Sequence, residues 1–511
     1  MYNSEKNNRI AKNTLMLYFR QILILLVNLY TVRVVLNVLG IEDYGIYSVV
    51  GSVVSFFSFI SGTMASATQR FFSFAIGLGD YEKLKKTFTV NWILYGAIAV
   101  IALVLLETIG LWFVSEHLQV PPERYESVLW IYHFSVLTFM ATIFSTPFMA
   151  IIIAHEDMQI YAYMSIIEAF MKLGVVFLLI QQLPWDKLEL YGMLIFAVSV
   201  ISTIIYMVIC VRKYSECQFR KFYWDNDLLH EIMGFTAWTL FGQISSIARY
   251  QSVTILLNQM FSPGVVAARA IAMNITSQIN VFSNNFNTGL YPPIIKSYAE
   301  DDKKGMFSLI FNGSKITFFL MWFFALPFFL EMNTILSIWL KNIPPEAVLF
   351  TRLALLEALV NSISLPIATA ARAPGKMMLY ELTLGCIQIA IFVASLIILK
   401  MGLSAYSVFV VSIIANLVMF VIRLLIVRML IGLSLRAFYR QVVFPISLVT
   451  IFSSITSFVI HYHLPQGLVF TCISIISSVI ITCISMYFFG VDKLTRKKTK
   501  SIILTRIYKI F

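Results

Sequence analysis

Three arginines interrupt apolar runs long enough to cross a bilayer: Arg20, Arg249 and Arg269. An ionisable group at membrane depth is costly unless it faces a partner or a wet cavity. Their neighbours at helical spacing are polar as well. On helix 8, a span over Val265–Leu290, Arg269, Thr276, Asn280, Ser283 and Asn287 share one face, with Ser277 and Asn284 beside them. Helix 7, Phe235–Leu257, puts Trp238, Gly242, Ser245, Arg249 and Ser252 on one face. Helix 1, Thr14–Asn37, gathers Asn13, Arg20, Gln21, Asn28 and Thr31 within about a quarter of its circumference. No acid accompanies these arginines on helices 1, 2, 7 or 8, which predicts unpaired cations lining a water-filled cavity. A guanidinium fork matches phosphate. The expected chemistry is therefore reception of an anionic head group by Arg20, Arg249 and Arg269, with Asn280, Asn284 and Asn287 around it. Arg20 lies toward the cytoplasm and the other two in the outer half. For Arg269, snorkelling to the outer interface is an equal alternative.

A second titratable pair lies on helix 5, Ile160–Ile180, where Glu168 and Lys172 stand at i, i+4. The plain reading is an intrahelical ion pair. The sharper one is a coupling site, in which Glu168 takes up a proton or sodium ion and frees Lys172. On helix 2, Tyr47–Ala67, the row Ser48, Ser52, Ser55, Gly62 and Ser66 reads equally as cavity lining or as close packing through small residues. His461 and His463 fall in an outer turn without acid partners. The five cysteines show no metal-ligand spacing, and no phosphate loop, zinc-protease or nucleophile-elbow motif is present. The chain is accordingly not expected to be an enzyme, and no cofactor or metal is expected beyond a coupling proton or sodium ion.

The elements that must position these residues are transmembrane helices. Of the chain, 59% is hydrophobic and 13% charged, with mean hydropathy +0.83. A water-soluble fold cannot hide that much apolar surface. Apolar runs of roughly twenty residues recur from end to end, giving an all-α integral membrane protein of about fourteen helices. The formal charge of +12 does not mark a nucleic-acid binder. Placing both termini in the cytoplasm puts Lys83, Lys85, Lys86, Arg212, Lys213, Arg220, Lys221, Lys296, Lys303 and the tail from Lys493 inside, leaving the outer turns little beyond Arg124, Lys187, Lys341 and Lys400. One inner loop, His155-Glu156-Asp157, lacks Lys and Arg and departs from this pattern. The first apolar run is too long for a cleaved leader and is expected to remain as helix 1.

The polar stretch 212–231 reads as a cytoplasmic linker between an N-terminal six-helix lobe, 1–211, and a C-terminal six-helix lobe, 232–430. Helices 13 and 14 occupy 431–490, followed by a basic cytoplasmic tail, 491–511. A faint repeat accompanies the two lobes. Phe19-Arg20-Gln21 followed by Val35-Leu36-Asn37 parallels Phe241-Gly242-Gln243 followed by Leu256-Leu257-Asn258. Two copies six helices apart keep one orientation, an arrangement in which transporters bind substrate between the halves.

Several segments resemble the polysaccharide-export proteins, the O-antigen (Wzx-type) flippases of the multidrug/oligosaccharidyl-lipid/polysaccharide (MOP, MATE-like) superfamily. The first is Arg33-Val-Val-Leu-Asn-Val-Leu-Gly40-Ile-Glu42-Asp-Tyr44-Gly45-Ile-Tyr47, similar to that family's helix 1–2 signature. Pro147 with Ile153-Ala-His-Glu156, Tyr291-Pro-Pro293 with Lys296-Ser-Tyr298-Ala299, and Gly375-Lys376 with Tyr380 are the others. The resemblance implies two six-helix lobes working by alternating access in the bacterial cytoplasmic membrane. It implies an undecaprenyl-diphosphate-linked oligosaccharide, an O-antigen or capsule repeat unit, as cargo moved to the outer leaflet. Cavity arginines for the diphosphate would be Arg20, Arg249 and Arg269, with helices 13 and 14 as a groove for the prenyl tail. Implied partners are membrane lipids and the polysaccharide polymerase machinery, and no nucleic acid. The alternative is a cation-coupled multidrug exporter (MATE-type), which Glu168 supports and Arg20, a cation where an acid would serve, opposes.

Overall fold

The computed structural model describes residues 2–118, 122–181, 184–219, 221–340, 342–465 and 467–491, and among these it is helical with no strand. The basic tail, Arg220 and Lys341 lie outside the described residues. The helices are α1 (Leu15–Gly40, already wound from Tyr2), α2 (Glu42–Ser55 bent by 46° into Ser58–Leu78), α3 (Tyr81–Glu116), α4 (Pro122–Ala154), α5 (Met158–Ile180) and α6 (Lys187–Lys213). Then come α7 (Asn226–Met260), α8 (Pro263–Ala299), α9 (Lys303–Trp339), α10 (Ala347–Arg372), α11 (Met378–Lys400), α12 (Ser407–Ile431), α13 (Leu435–His463) and α14 (Leu468–Gly490).

Among the described residues eleven helices are long and apolar enough to cross a membrane, or twelve if the bent α2 is one span. The expectation of about fourteen differs by α7 and α8. Both have the length, 35 and 37 residues; the polar faces read from the sequence keep their hydropathy down. The chain is a multi-pass membrane protein, and its surface has the matching inversion. Along the second half of α13 and on α14 the buried residues are small and polar (Ser453, Ser457, Ser474, Ser478, Thr482), whereas Ile451, Ile455, Phe458, Ile476 and Ile480 are exposed. Small residues let helices approach closely, and the outward apolar side chains suit lipid.

Breaks in the helices have local causes. Gly40 takes φ +82°, ψ 172° between α1 and α2, a conformation that a side chain rarely tolerates. Pro147, Pro292, Pro293, Pro327 and Pro366 lie inside helices, where each removes a backbone donor. Asp80 and Asp186 close the starts of α3 and α6 by accepting from backbone N–H groups.

The chain forms two compact units. Residues up to Gln243 together with Ile295–Asp302 make the first, and Ile244–Ile294 with the residues from Lys303 onward make the second. The division falls inside α7 and α8. In the first unit, α4 packs on α6 and α2, and α1 on α5, around fully buried Tyr95, Leu106, Ile131 and Tyr132. In the second, α10 packs against α9 and α12, and α14 packs on α9 and α13.

Candidate functional site

Each unit has its own polar interior. In the first, the buried Arg20 guanidinium lies 4.5 Å from the Tyr161 ring centroid, and its Nη1 donates to Ser165 Oγ at 3.4 Å. Tyr161, Ser165, Glu168 and Lys172 recur at spacings of four, three and four residues, which places them on one face of α5. Glu168 and Lys172 are joined at 2.7 Å, each side chain about a third exposed. The structure therefore brings Arg20 to the face of α5 that carries this pair, a neighbourhood the sequence did not predict.

The loop after α4 explains its own missing cations. Glu156 Oε1 lies 2.8 Å from Lys296 Nζ, and its carbonyl accepts from Asn13 Nδ2 at 3.2 Å. Asp157 accepts from Tyr214 Oη at 2.6 Å and pairs with Lys213 at 2.9 Å. Burial pushes the Asp157 carboxyl up, but the Tyr214 hydroxyl and the Lys213 ammonium outweigh it and hold it below the usual carboxylate range. His155 stacks on Tyr214 and meets Glu216 Oε1 at 2.6 Å. The basic charge this loop lacks in sequence is thus supplied in space by α6 and the end of α8. Nearby, a Cβ on Gly77 would stand 2.9 Å from the Lys296 Cα, so glycine is what admits that backbone. Two further signature residues act at a turn. Arg124 pairs with both Asp43 and Asp186, and Tyr47 meets Tyr191 edge-on at 4.9 Å.

In the second unit the expectation of unpaired arginines fails for Arg249. Its Nη1 lies 3.2 Å from Glu357 Oε1 of α10 and donates to Ser412 Oγ at 3.3 Å, while Asn416 Nδ2 donates to the same carboxylate oxygen at 3.0 Å. The acid comes from a helix 108 positions away, which a search along helices 1, 2, 7 and 8 cannot reach. Arg269 differs. It is 5% exposed, donates from Nε to Thr254 Oγ1 at 3.3 Å and lies over the rings of Tyr250 and Phe409 at 5.1 and 5.5 Å. Among the described residues it has no carboxylate at ion-pair distance.

The amide face of α8 serves two purposes. Ser283 donates to the Thr317 carbonyl at 2.8 Å and Asn287 Nδ2 to Thr369 Oγ1 at 3.5 Å, both packing contacts. Asn280 instead lines a cavity of about 410 Å³ with Tyr250, Asn274, Thr276 and Ser277, and Asn284 is exposed. Tyr250 touches both Arg269 and this cavity, so a cation, an aromatic face and an amide lie together. A pairing missed from sequence is that of Glu331 with His461. Glu331 is buried, with Oε1 2.7 Å from His461 Nδ1 and Oε2 accepting from Thr471 Oγ1 at 3.2 Å, so His461 does have an acid partner. A lone acid inside the apolar run of α9 was the available signal.

A family model described as polysaccharide biosynthesis protein matches residues 10–298, more than half of the chain. The chain belongs to that family. The match takes in Arg20, Arg249, Arg269 and the signature segments up to Tyr298. No curated protein matches. Among solved structures, an outward-facing multidrug-resistance MATE family transporter of the MOP superfamily is similar at 15% identity, TM-score 0.72, over 84% of this chain and 96% of that one. A MATE in complex with MaD3S is similar at 14% identity, TM-score 0.72, with the same coverage. A variant of the Vibrio cholerae MATE transporter VcmN gives 13%, TM-score 0.62, over 86% and 99%. This member of the polysaccharide biosynthesis family therefore has a MATE-like fold, and family and fold are those of a transporter or flippase.

Proposed function

We propose that the chain carries an undecaprenyl-diphosphate-linked oligosaccharide from the cytoplasmic to the outer leaflet of the bacterial cytoplasmic membrane by alternating access, with both termini in the cytoplasm. The observation that carries this reading is Arg269, a buried guanidinium with no carboxylate at ion-pair distance among the described residues, set on a tyrosine that lines an amide-bearing cavity. A buried cation without an ion-pair partner is unfavourable by itself; an anionic cargo would supply what it lacks. Phosphate fits the guanidinium fork, and Asn280 and Asn284 offer amides suited to sugar hydroxyls or phosphate oxygens. Arg249 enters this scheme as a residue positioned by Glu357, Arg20 as the cation of the other unit, and Asn287 as a brace between α8 and α10. Organic cations are poorly served by Arg20 and Arg269, which weighs against drug export.

Loss of the chain from cells that make surface polysaccharide is expected to leave the lipid-linked repeat unit accumulated on the cytoplasmic leaflet, measured by lipid extraction and mass spectrometry. Normal surface polysaccharide without accumulation would remove this cargo. For coupling, Glu168 and Lys172 remain our candidates. Glu168→Gln is expected to flatten the pH or sodium dependence of export with little change in thermal midpoint, because an i, i+4 pair about a third exposed contributes only about 0.5 kcal/mol. An unchanged profile would retire that role.

A further inference from the structure

The second unit holds another open space, formed by α9, α10 and α13 and sharing no residue with the cavity beside Asn280. It is a groove of about 660 Å³, within the range of roughly 300–1,000 Å³ typical of ligand sites. Its lining is apolar: Trp322 and Leu326 are buried, and Leu356, Ile455 and Phe458 present exposed hydrocarbon. The Trp322 indole N–H is already given to Ser453 Oγ at 2.9 Å. The remaining polar side chains of the lining are Arg352, Ser454 and His461.

Arg352 is the group that needs explaining. It is half-buried, its Nε is buried without an acceptor, and among the described residues no carboxylate pairs with it. The nearby acid Glu331 is engaged elsewhere, one carboxylate oxygen meeting His461 and the other accepting from Thr471. A guanidinium against hydrocarbon is costly unless an anion or water reaches it. Among the described residues no carboxylate pairs with it. An amphiphile with a phosphate at one end and a hydrocarbon chain at the other satisfies both halves of the groove at once.

We propose that this groove binds an anionic glycerophospholipid of the surrounding bilayer, with the phosphate on Arg352 and an acyl chain along Leu356, Ile455 and Phe458. A zwitterionic head group would bring its own cation beside Arg352 and lose the charge match. Binding to the folded state alone stabilises it by mass action.

The test uses the purified full chain in non-ionic detergent, with thermal midpoints read on adding dioleoylphosphatidylglycerol, dioleoylphosphatidylcholine or undecaprenyl phosphate. Phosphatidylglycerol is expected to raise the midpoint by about 4 °C, phosphatidylcholine by less than half of that shift. Arg352→Gln should lose the increment, corresponding to roughly tenfold weaker binding; Arg352→Lys should keep part of it, and Lys400→Gln, outside the groove, all of it. Ile455→Trp, which fills the apolar part and leaves the charge alone, should lose it too. Equal shifts from the two phospholipids, or an undiminished increment in Arg352→Gln or Ile455→Trp, would overturn the proposal. A larger shift from undecaprenyl phosphate that displaces phosphatidylglycerol would overturn it as well, by assigning the groove to a cargo lipid.

Discussion

Arg249→Ala, made alone, is expected to strip most of the folded protein from the membrane and to abolish export, while Arg249→Gln combined with Glu357→Gln restores the fold but not export. The reason lies in what each change leaves behind. Arg249 and Glu357 have side chains 19% and 9% exposed and meet at 3.2 Å. Removing one partner from such a pair strands the other charge, at a cost of about 3–5 kcal/mol. Removing both charges avoids that, because neutral amides still serve Ser412 and Asn416, which contact the pair now. Membrane abundance and thermal midpoint report the first effect; surface polysaccharide reports the second. If the double variant also exports, Arg249 is a structural partner of Glu357 and no part of the cargo site. Glu357→Ala alone supplies the converse check, since it frees the guanidinium and should cost similar stability.

The same pair shows what the sequence could and could not disclose. Helical spacing alone placed Arg249 and Arg269 on polar faces, and the two helices that carry them are the long ones too polar to resemble simple spans. Which charge would be compensated was not legible, because compensation is a tertiary fact. Glu357 sits on α10, Glu331 finds His461 from 130 positions away, and Glu156 finds Lys296 from 140. Periodicity reports the direction a side chain takes from its own helix and says nothing of what the neighbouring helix presents.

Signature segments far apart in the chain meet in space. Ile153-Ala-His-Glu156 and Lys296-Ser-Tyr298 join through one Glu156–Lys296 ion pair, and Tyr298 lies against Phe74. Gly40 and Asp43 of the first signature do local work, one taking a backbone angle closed to other residues and the other anchoring Arg124. The acids of the basic-poor loop at His155 meet Lys213 and Lys296, cations of other segments that a reading along the loop does not reach.

Arg269→Met is expected to lower export by about two orders of magnitude while leaving the thermal midpoint unchanged or raising it. Stability and function should part here because Arg269, unlike Arg249, has no acid at ion-pair distance among the described residues. Its guanidinium is buried, held by one hydroxyl at 3.3 Å and by two aromatic faces. Cation–π contacts offset only part of a desolvated charge, at about 2 kcal/mol or somewhat more each. A methionine of similar length keeps contact with Tyr250 and Phe409 and removes the desolvation cost. Losing two charge-assisted hydrogen bonds to a phosphate corresponds to roughly 3 kcal/mol, or a hundredfold in rate if they strengthen as the cargo passes. Arg269→Lys should fall between, keeping the charge and losing the fork. Export by Arg269→Met at the parent rate, with the protein equally abundant, would mean that the cation is carried for packing, and the phosphate would have to be received elsewhere.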